Sequence, residues 1–418
     1  MCAPAGKGQM LRVPVKQARE GMTLAVPVLH PHHPETLLLR GGYVLDEPTI
    51  IRLRELTIDS VWIEYPEVGF ISRYISPRVM MQRGVVASVV CEVLDKMSRK
   101  ACAPLDYAQY RATVRDFVNT IYDHPSAALL VEHMHAGDRP LMRHCADVCY
   151  LALLMGMKLE NYLILQRHRL PGYRARDIVD LGMAALLHDV GMLALEPGVM
   201  DRWVEEGCPE DDPAWRRHVL MGYQRLRGGI GPAAAAAVLH HHQHWDGTGF
   251  PLKRAVSGGY EAQRGEEIHV FARVLMVADL FDRLTHPLTM TERVPTVRAL
   301  RWMQCEPYVN WMDPVVFRAL LAVVPAYAPG KMVTLSNAEV GVVVEWSASD
   351  PCRPVVQMLG ERKKYARAVR HDLRLNRKLT VVEVDGEDVS TDNFYPERPG
   401  AFDLLVTLPE DGVGTEAA

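Results

Sequence analysis

The sequence predicts a mainly α protein: an all-helical core over about residues 107–324, flanked by a small α/β N-terminal domain and a small β-rich C-terminal extension. Two observations carry this. Long apolar segments crowd the middle of the chain, among them Leu181 to Gly191 and Val270 to Thr285, and their length exceeds that of an ordinary strand. Short β-branched and apolar runs bounded by turn residues occupy both ends instead.

In chain order, Val13 to Val15, Met22 to Val28, Thr36 to Leu39 and Asp59 to Ile63 read as strands, with a helix over Thr49 to Leu56. These make up a unit over residues 1–68 in which nothing has catalytic spacing, which suits an interaction or regulatory module. A helical connector over residues 69–106 follows, with its helix from Ser76 to Ser98; serine suits the cap and Pro77 the first turn. The core carries expected helices over Tyr110–Tyr122, Pro140–Leu159, Ala175–His188, Trp215–Arg227, Pro232–His242 and Glu266–Thr285. Strands return over residues 325–395, at Met332–Leu335, Val340–Trp346, Pro354–Met358 and Leu379–Val384, before an irregular tail over 396–418.

With 418 residues the chain has room for two or three domains, and a hydrophobic fraction of 48% is ordinary for a globular protein. The net charge of -4 offers no general attraction to a nucleic-acid polymer, so a phosphodiester ligand would need local cations. No run approaches a membrane span, and the N-terminus lacks the apolar centre of a signal peptide. The 8 cysteines are scattered, which suits a reducing cytoplasm.

The most informative stretch is His240-His241-His242-Gln243-His244-Trp245-Asp246-Gly247-Thr248-Gly249-Phe250-Pro251. An alanine-rich helix leads into it; the glycines then force a turn and Pro251 stops any return to helix. Gly249 is expected to supply a positive φ. Imidazoles leaving a helix beside a tight loop suggest a metal site, although a histidine tract alone fits a solvated patch equally well. Two further segments favour metal. His188 and Asp189 end an apolar helix, and Asp279 sits in the middle of another, where a carboxylate needs a strong partner: a cation, or an arginine such as Arg273 or Arg283.

Together these residues resemble the HD-GYP family of HD-superfamily phosphohydrolases. His188-Asp189-Val190-Gly191-Met192 follows its His-Asp-x-Gly-Lys signature, and His241 to Pro251 follows its His-His-Glu-x-x-Asp-Gly-x-Gly-Tyr-Pro signature. Asp279 falls where the family has its last ligand. His144 matches a His-x-x-x-Val helix and His218 a His-x-x-x-Gly helix; without the other motifs each would read as a surface histidine. The resemblance implies two divalent transition metals, iron first, manganese or zinc otherwise. His144, His188, Asp189 and Asp279 would hold one, and Asp189 with His218, His241 and His242 the other. Such a pair activates water for in-line displacement at phosphorus. Asp189 and His188 are therefore the expected catalytic residues. The implied substrate is cyclic di-GMP or a related cyclic dinucleotide, opened to linear pGpG with GMP as a further product. Asp246, Gly247, Gly249, Phe250, Arg273 and Lys253 are the expected substrate contacts, with Arg254 and Arg264 as further cations, though the loop cations also read as solvated residues. Trp245 and Phe250 suit base stacking or packing. A protein partner at a terminal domain and a homodimer complete the expected partners.

The sequence departs from the family pattern at several points. Pro140 replaces a glutamate that in some members serves a third metal, so two metals at most are expected. Met192 replaces lysine, Gln243 glutamate and Phe250 tyrosine. The run His286 to Thr291 replaces a phosphate-gripping Ser-x-Arg-Pro-Tyr-Arg/Lys stretch. These changes leave two alternatives to the hydrolase of cyclic dinucleotides. One is a degenerate module that binds metal and nucleotide without turnover; the other is a hydrolase for another phosphoester.

Overall fold

The computed structural model describes residues 10–29, 37–56, 58, 60–64, 76–99, 105–124, 140–199, 202, 212–287, 293–359 and 369–405. Near the N-terminus, β1 (Met10–Pro14) pairs antiparallel with β4 (Ser60–Glu64). The short β2 (Val28–Leu29) pairs with β3 (Leu37–Leu39) as a separate ribbon. Asp46 caps α1 (Glu47–Glu55), accepting from the Thr49 amide at 2.9 Å. The alternation of β4 turns Val61 and Ile63 inward, where Leu11, Leu24, Leu45 and Ile50 meet them. One residue from far along the chain, Val342, completes this apolar cluster.

The helices follow in order: α2 (Pro77–Arg99), α3 (Tyr107–Asp123), α4 (Pro140–Lys158), α5 (Glu160–Gln166), α6 (Gly172–Ala175) and α7 (Val179–Leu187). After α7 come α8 (Pro213–Leu226), α9 (Pro232–His240), α10 (Val270–Thr285), α11 (Thr296–Met303), α12 (Tyr308–Trp311) and α13 (Pro314–Leu321). Ser76 Oγ accepts from the Val79 amide at 3.4 Å, so serine caps α2 as expected. The helix expected over Ala175–His188 is divided instead. Asp177 accepts from the Val179 amide at 2.9 Å and starts α7 afresh, after the single turn of α6. The helix expected to begin at Glu266 begins at Val270, because Gly265–Glu267 is a separate 3-10 turn and the His269 ring caps α10. Helix α9 stops at His240, so His241 and His242 leave it together.

α4 is buried on nearly every side, which is why it can be so apolar, and it packs on α7 and α10. No single helix among the described residues is long and apolar enough to cross a membrane. A hairpin of β5 (Lys253–Arg254) and β6 (Tyr260–Glu261) projects after the glycine-rich loop, where a plain loop was expected. The C-terminal strands β7 (Met332–Leu335), β8 (Val340–Glu345), β9 (Val355–Met358), β10 (Arg370–Asp372), β11 (Val381–Val384) and β12 (Glu387–Asp388) form one antiparallel sheet. Its order is β10-β9-β8-β7-β11-β12. Val333, Leu335, Val343, Val356 and Val381 share one apolar cluster with the helices, so sheet and helical core bury a common interior. Residues 396–405 are irregular but anchored, with the Phe402 ring 5.9 Å from Phe394. Positions 406–418 of the expected tail, and Leu288 to Thr291 of the departing run, lie outside the described residues.

Candidate metal centre

Helix endings and crossings bring seven side chains together. His144 comes from α4 and Asp279 from the middle of α10; His188 and Asp189 close α7; His218 comes from α8; His241 and His242 follow α9. All seven are buried, none more than 6% exposed. Gly191 makes the crossing possible. A Cβ there would overlap the His218 carbonyl oxygen and stand 2.7 Å from the Gly222 amide nitrogen, so the turn after Asp189 lies directly against α8.

The donors fall into two groups, His144 with His188 and Asp279, and Asp189 with His218, His241 and His242. Asp189 joins them. Its Oδ2 lies 3.5 Å from His188 Nε2 and 3.6 Å from His144 Nε2, and its Oδ1 lies 3.5 Å from both His218 Nε2 and His241 Nε2. Each of its oxygens therefore faces one group.

Ring orientation shows what the centre fits. His188, His218 and His241 each place Nδ1 at 2.7–2.8 Å from a carbonyl oxygen three residues back, of Ala185, Trp215 and Val238. A carbonyl only accepts, so Nδ1 carries the proton and Nε2 turns a lone pair inward. His218 and His241 then face each other Nε2 to Nε2 at 3.4 Å, while Asp189 Oδ1 and His242 Nδ1 are buried without a hydrogen bond. Lone pairs meeting lone pairs and carboxylates need positive charge between them. Donors sharing a cation at roughly 2.0–2.2 Å stand roughly 3.0–3.6 Å apart, the spacing seen here. The residues fit transition-metal cations.

The electrostatics agree. Burial pushes His188 and His218 down to about 4 and His242 well below its ordinary value, leaving neutral imidazoles. Burial would depress His144 too, but Asp279 and Asp282 outweigh it and raise the ring to about 10. The two carboxylates act at close range, Asp279 Oδ1 lying 3.0 Å from His144 Nε2 and Asp282 Oδ2 2.7 Å from its Nδ1. Arg283 sits 3.0 Å from Asp279 Oδ2 and helps hold that carboxyl at about 2 against the effect of burial. The arginine and the cluster flank the same aspartate.

The sequence reading missed Asp282. It accepts from His144 Nδ1 at 2.7 Å and has His286 Nδ1 at 3.0 Å. The available signal was its position three residues after Asp279, on the same helix face.

Other expected positions fare differently. Gly249 does not have a positive φ; that belongs to Gly247, at 87°. Gly249 is needed because a Cβ would overlap the His242 carbonyl and the His244 amide. Asp246 Oδ1 accepts from the Thr248 amide at 2.9 Å, holding the loop's shape. Gln243 donates its amide to the Pro251 carbonyl, a bond that an ionised glutamate could not make. Phe250 stacks on His242 at 4.8 Å, while Trp245 lies away over Arg273. Arg273 is buried and bonded to Asp313 and Tyr162 at 2.6 and 2.7 Å, and the arginine paired with Asp279 is Arg283 instead. Lys253 is exposed on the hairpin, 4.0 Å from Glu261. Met192 is fully buried and belongs with Trp215, Val219 and Phe250 to one small apolar cluster, so two departures from the motifs lie in the same wall.

The HD domain family matches residues 164–316, a span holding every ligand candidate except His144. A cyclic di-GMP phosphodiesterase of Pseudomonas aeruginosa is 27% identical over 380 residues, covering 83% of this chain and 84% of that protein. A 3′3′-cGAMP-specific phosphodiesterase of Vibrio cholerae is 32% identical over 149 residues, covering 34% of this chain and 29% of that protein. Among solved structures, an HDG"Y"P protein of Bdellovibrio bacteriovorus aligns with a TM-score of 0.43 at 17% identity, covering 75% of this chain and 98% of that one.

Proposed function

We propose, from the premise that this chain belongs to the HD superfamily in its HD-GYP branch, that it is a metal-dependent phosphodiesterase opening cyclic di-GMP or a closely related cyclic dinucleotide to the linear product. The observation that carries this reading is the placement of Asp189, one oxygen toward each half of the buried donor set. His144, His188 and Asp279 would hold one cation and His218, His241 and His242 the other, with Asp189 shared. Mixed imidazole and carboxylate donors favour iron, with manganese or zinc as alternatives. Bound divalent cations would make water nucleophilic at neutral pH and neutralise charge on the phosphoryl group.

The chain's own residues prepare that chemistry. Carbonyls at Ala185, Trp215 and Val238 fix three ring tautomers, so the donor lone pairs are aimed before any ligand arrives. Trp215, Met192 and Phe250 belong to a buried apolar cluster beside the donor set, with Trp215 against His218 and Phe250 against His242. Hydrolysis breaks the bond from phosphorus to a ribose 3′ oxygen, forms one to the water oxygen, and delivers a proton to the departing oxygen. The Met192 thioether has no proton to give, which favours slow turnover.

The test is to reconstitute the protein anaerobically with iron or manganese and follow cyclic di-GMP and 3′3′-cGAMP by chromatography. The reading expects linear dinucleotide from at least one. Metal-loaded protein that binds a cyclic dinucleotide without cleaving it would instead make the chain a binding module, the alternative favoured by the burial of Met192.

A further inference from the structure

We propose that a cleft between α3 and the turn from α6 to α7, away from the metal centre, binds a nucleoside monophosphate. The cleft has a volume of about 490 Å³, within the range of small-molecule sites. Buried Val118, Ile178 and Val179 give it an apolar floor, and the exposed rings of Tyr122 and Tyr173 line its rim. α7 starts at this cleft with Val179 and ends just before His188, a run of roughly 14 Å at 1.5 Å per residue. Cleft and donor set thus lie at opposite ends of one helix, and the proposal does not depend on turnover at the metals.

Three polar side chains define the ligand class. Arg115, Asn119 and Tyr122 are spaced four and then three residues apart on α3, which sets them in a row on one face. All three line the cleft, and among the described residues none of their side chains makes a hydrogen bond or an ion pair. Burial raises the pKa of the Tyr122 hydroxyl, and Glu160, Arg176 and Asp177 are close enough to act on it, so that hydroxyl faces the cleft. The opposite wall is satisfied: Arg176 donates to Glu160 at 2.7 Å, and Asp177 Oδ1 accepts from the Val179 amide at 2.9 Å. Arg115 therefore supplies the positive charge available to a ligand, and a guanidinium fork matches phosphate. One turn on, the Asn119 amide offers a donor beside an acceptor, the pair that reads the edge of a nucleobase. Exposed tyrosine faces suit stacking of that base. From Arg115 to Tyr122 the helix rises roughly 10 Å, the reach of one extended nucleoside monophosphate.

The test is equilibrium dialysis of GMP against the full-length, metal-loaded protein and against Asp189→Ala, in which the metal pair is disrupted. Saturable binding is expected in both. In the Asp189→Ala background, Arg115→Ala and Tyr173→Ala are each expected to weaken it about tenfold or more, and Tyr173→Phe to keep it within about twofold. Both substituted side chains are exposed, so neither change touches the core, and circular dichroism checks the fold. Absence of saturable binding, or binding that either alanine variant leaves unchanged, overturns the proposal. Binding lost with Asp189→Ala also overturns it, because GMP would then sit at the metals. Failure to cleave cyclic dinucleotides counts against the function proposed above and leaves this measurement as it stands.

Discussion

Asp282 Oδ2 stands 2.7 Å from His144 Nδ1, tying α10 to the ring that α4 contributes to the donor set. A carboxylate behind a ligating imidazole fixes its orientation and raises its basicity, and removing such a partner typically weakens metal binding roughly 10–100-fold. Asp282→Ala should show a loss of that size in chelator competition, confined to one of two bound metals. Equal weakening of both metals, or of neither, would show that the pair does not act through His144.

Gly191 should tolerate nothing larger. An alanine methyl would overlap the backbone of His218, and backbone yields less readily than a side chain. Gly191→Ala is expected to cost at least the roughly 1–3 kcal/mol typical of overpacking, and to disturb the His218 half of the centre. Denaturant unfolding together with metal analysis checks both. Unchanged stability would mean that the close crossing is absent in solution.

His269 should set part of the acid sensitivity. Burial, helped by Arg167 and Arg273, depresses its pKa to about 4, and its Nδ1 accepts from the Phe271 amide at 3.2 Å, a bond that needs the neutral ring. The folded value lies below the unfolded one, so this stability is whole above pH about 6.5 and is lost as pH falls toward about 4. Full expression of that shift corresponds to about 3 kcal/mol. Asparagine caps a helix without titrating, so His269→Asn should flatten the melting-temperature profile over that window relative to wild type. Parallel profiles would contradict this role.

The residues that the fold gathers were legible in the sequence by two routes: His188 beside Asp189, the histidines closing an alanine-rich helix and Asp279 in an otherwise apolar helix stood out by themselves, while His144 and His218 were found only through the family resemblance. The helical core between two strand-bearing ends was legible from periodicity and from the lengths of the apolar runs. What escaped depends on partners distant in the chain. Arg273 reads as a partner for Asp279 or as a substrate contact until Asp313, 40 residues on, is found against it. Gly249 reads as a turn glycine, whereas the real constraint is the folded-back carbonyl of His242. Asp282 reads as one more acid on α10 until α4 brings His144 alongside. The C-terminal strands were recognised, but nothing local indicated that their buried face would be continuous with that of the helices.

Everything chemical here depends on Asp189 bridging two cations. Metal analysis of anaerobically reconstituted wild-type protein and Asp189→Ala, both confirmed folded by circular dichroism, tests this most directly. The account predicts two divalent transition-metal ions per wild-type chain, with both lost or greatly weakened in the variant. Wild-type protein that takes up no such ion, or a variant that retains two, would contradict it.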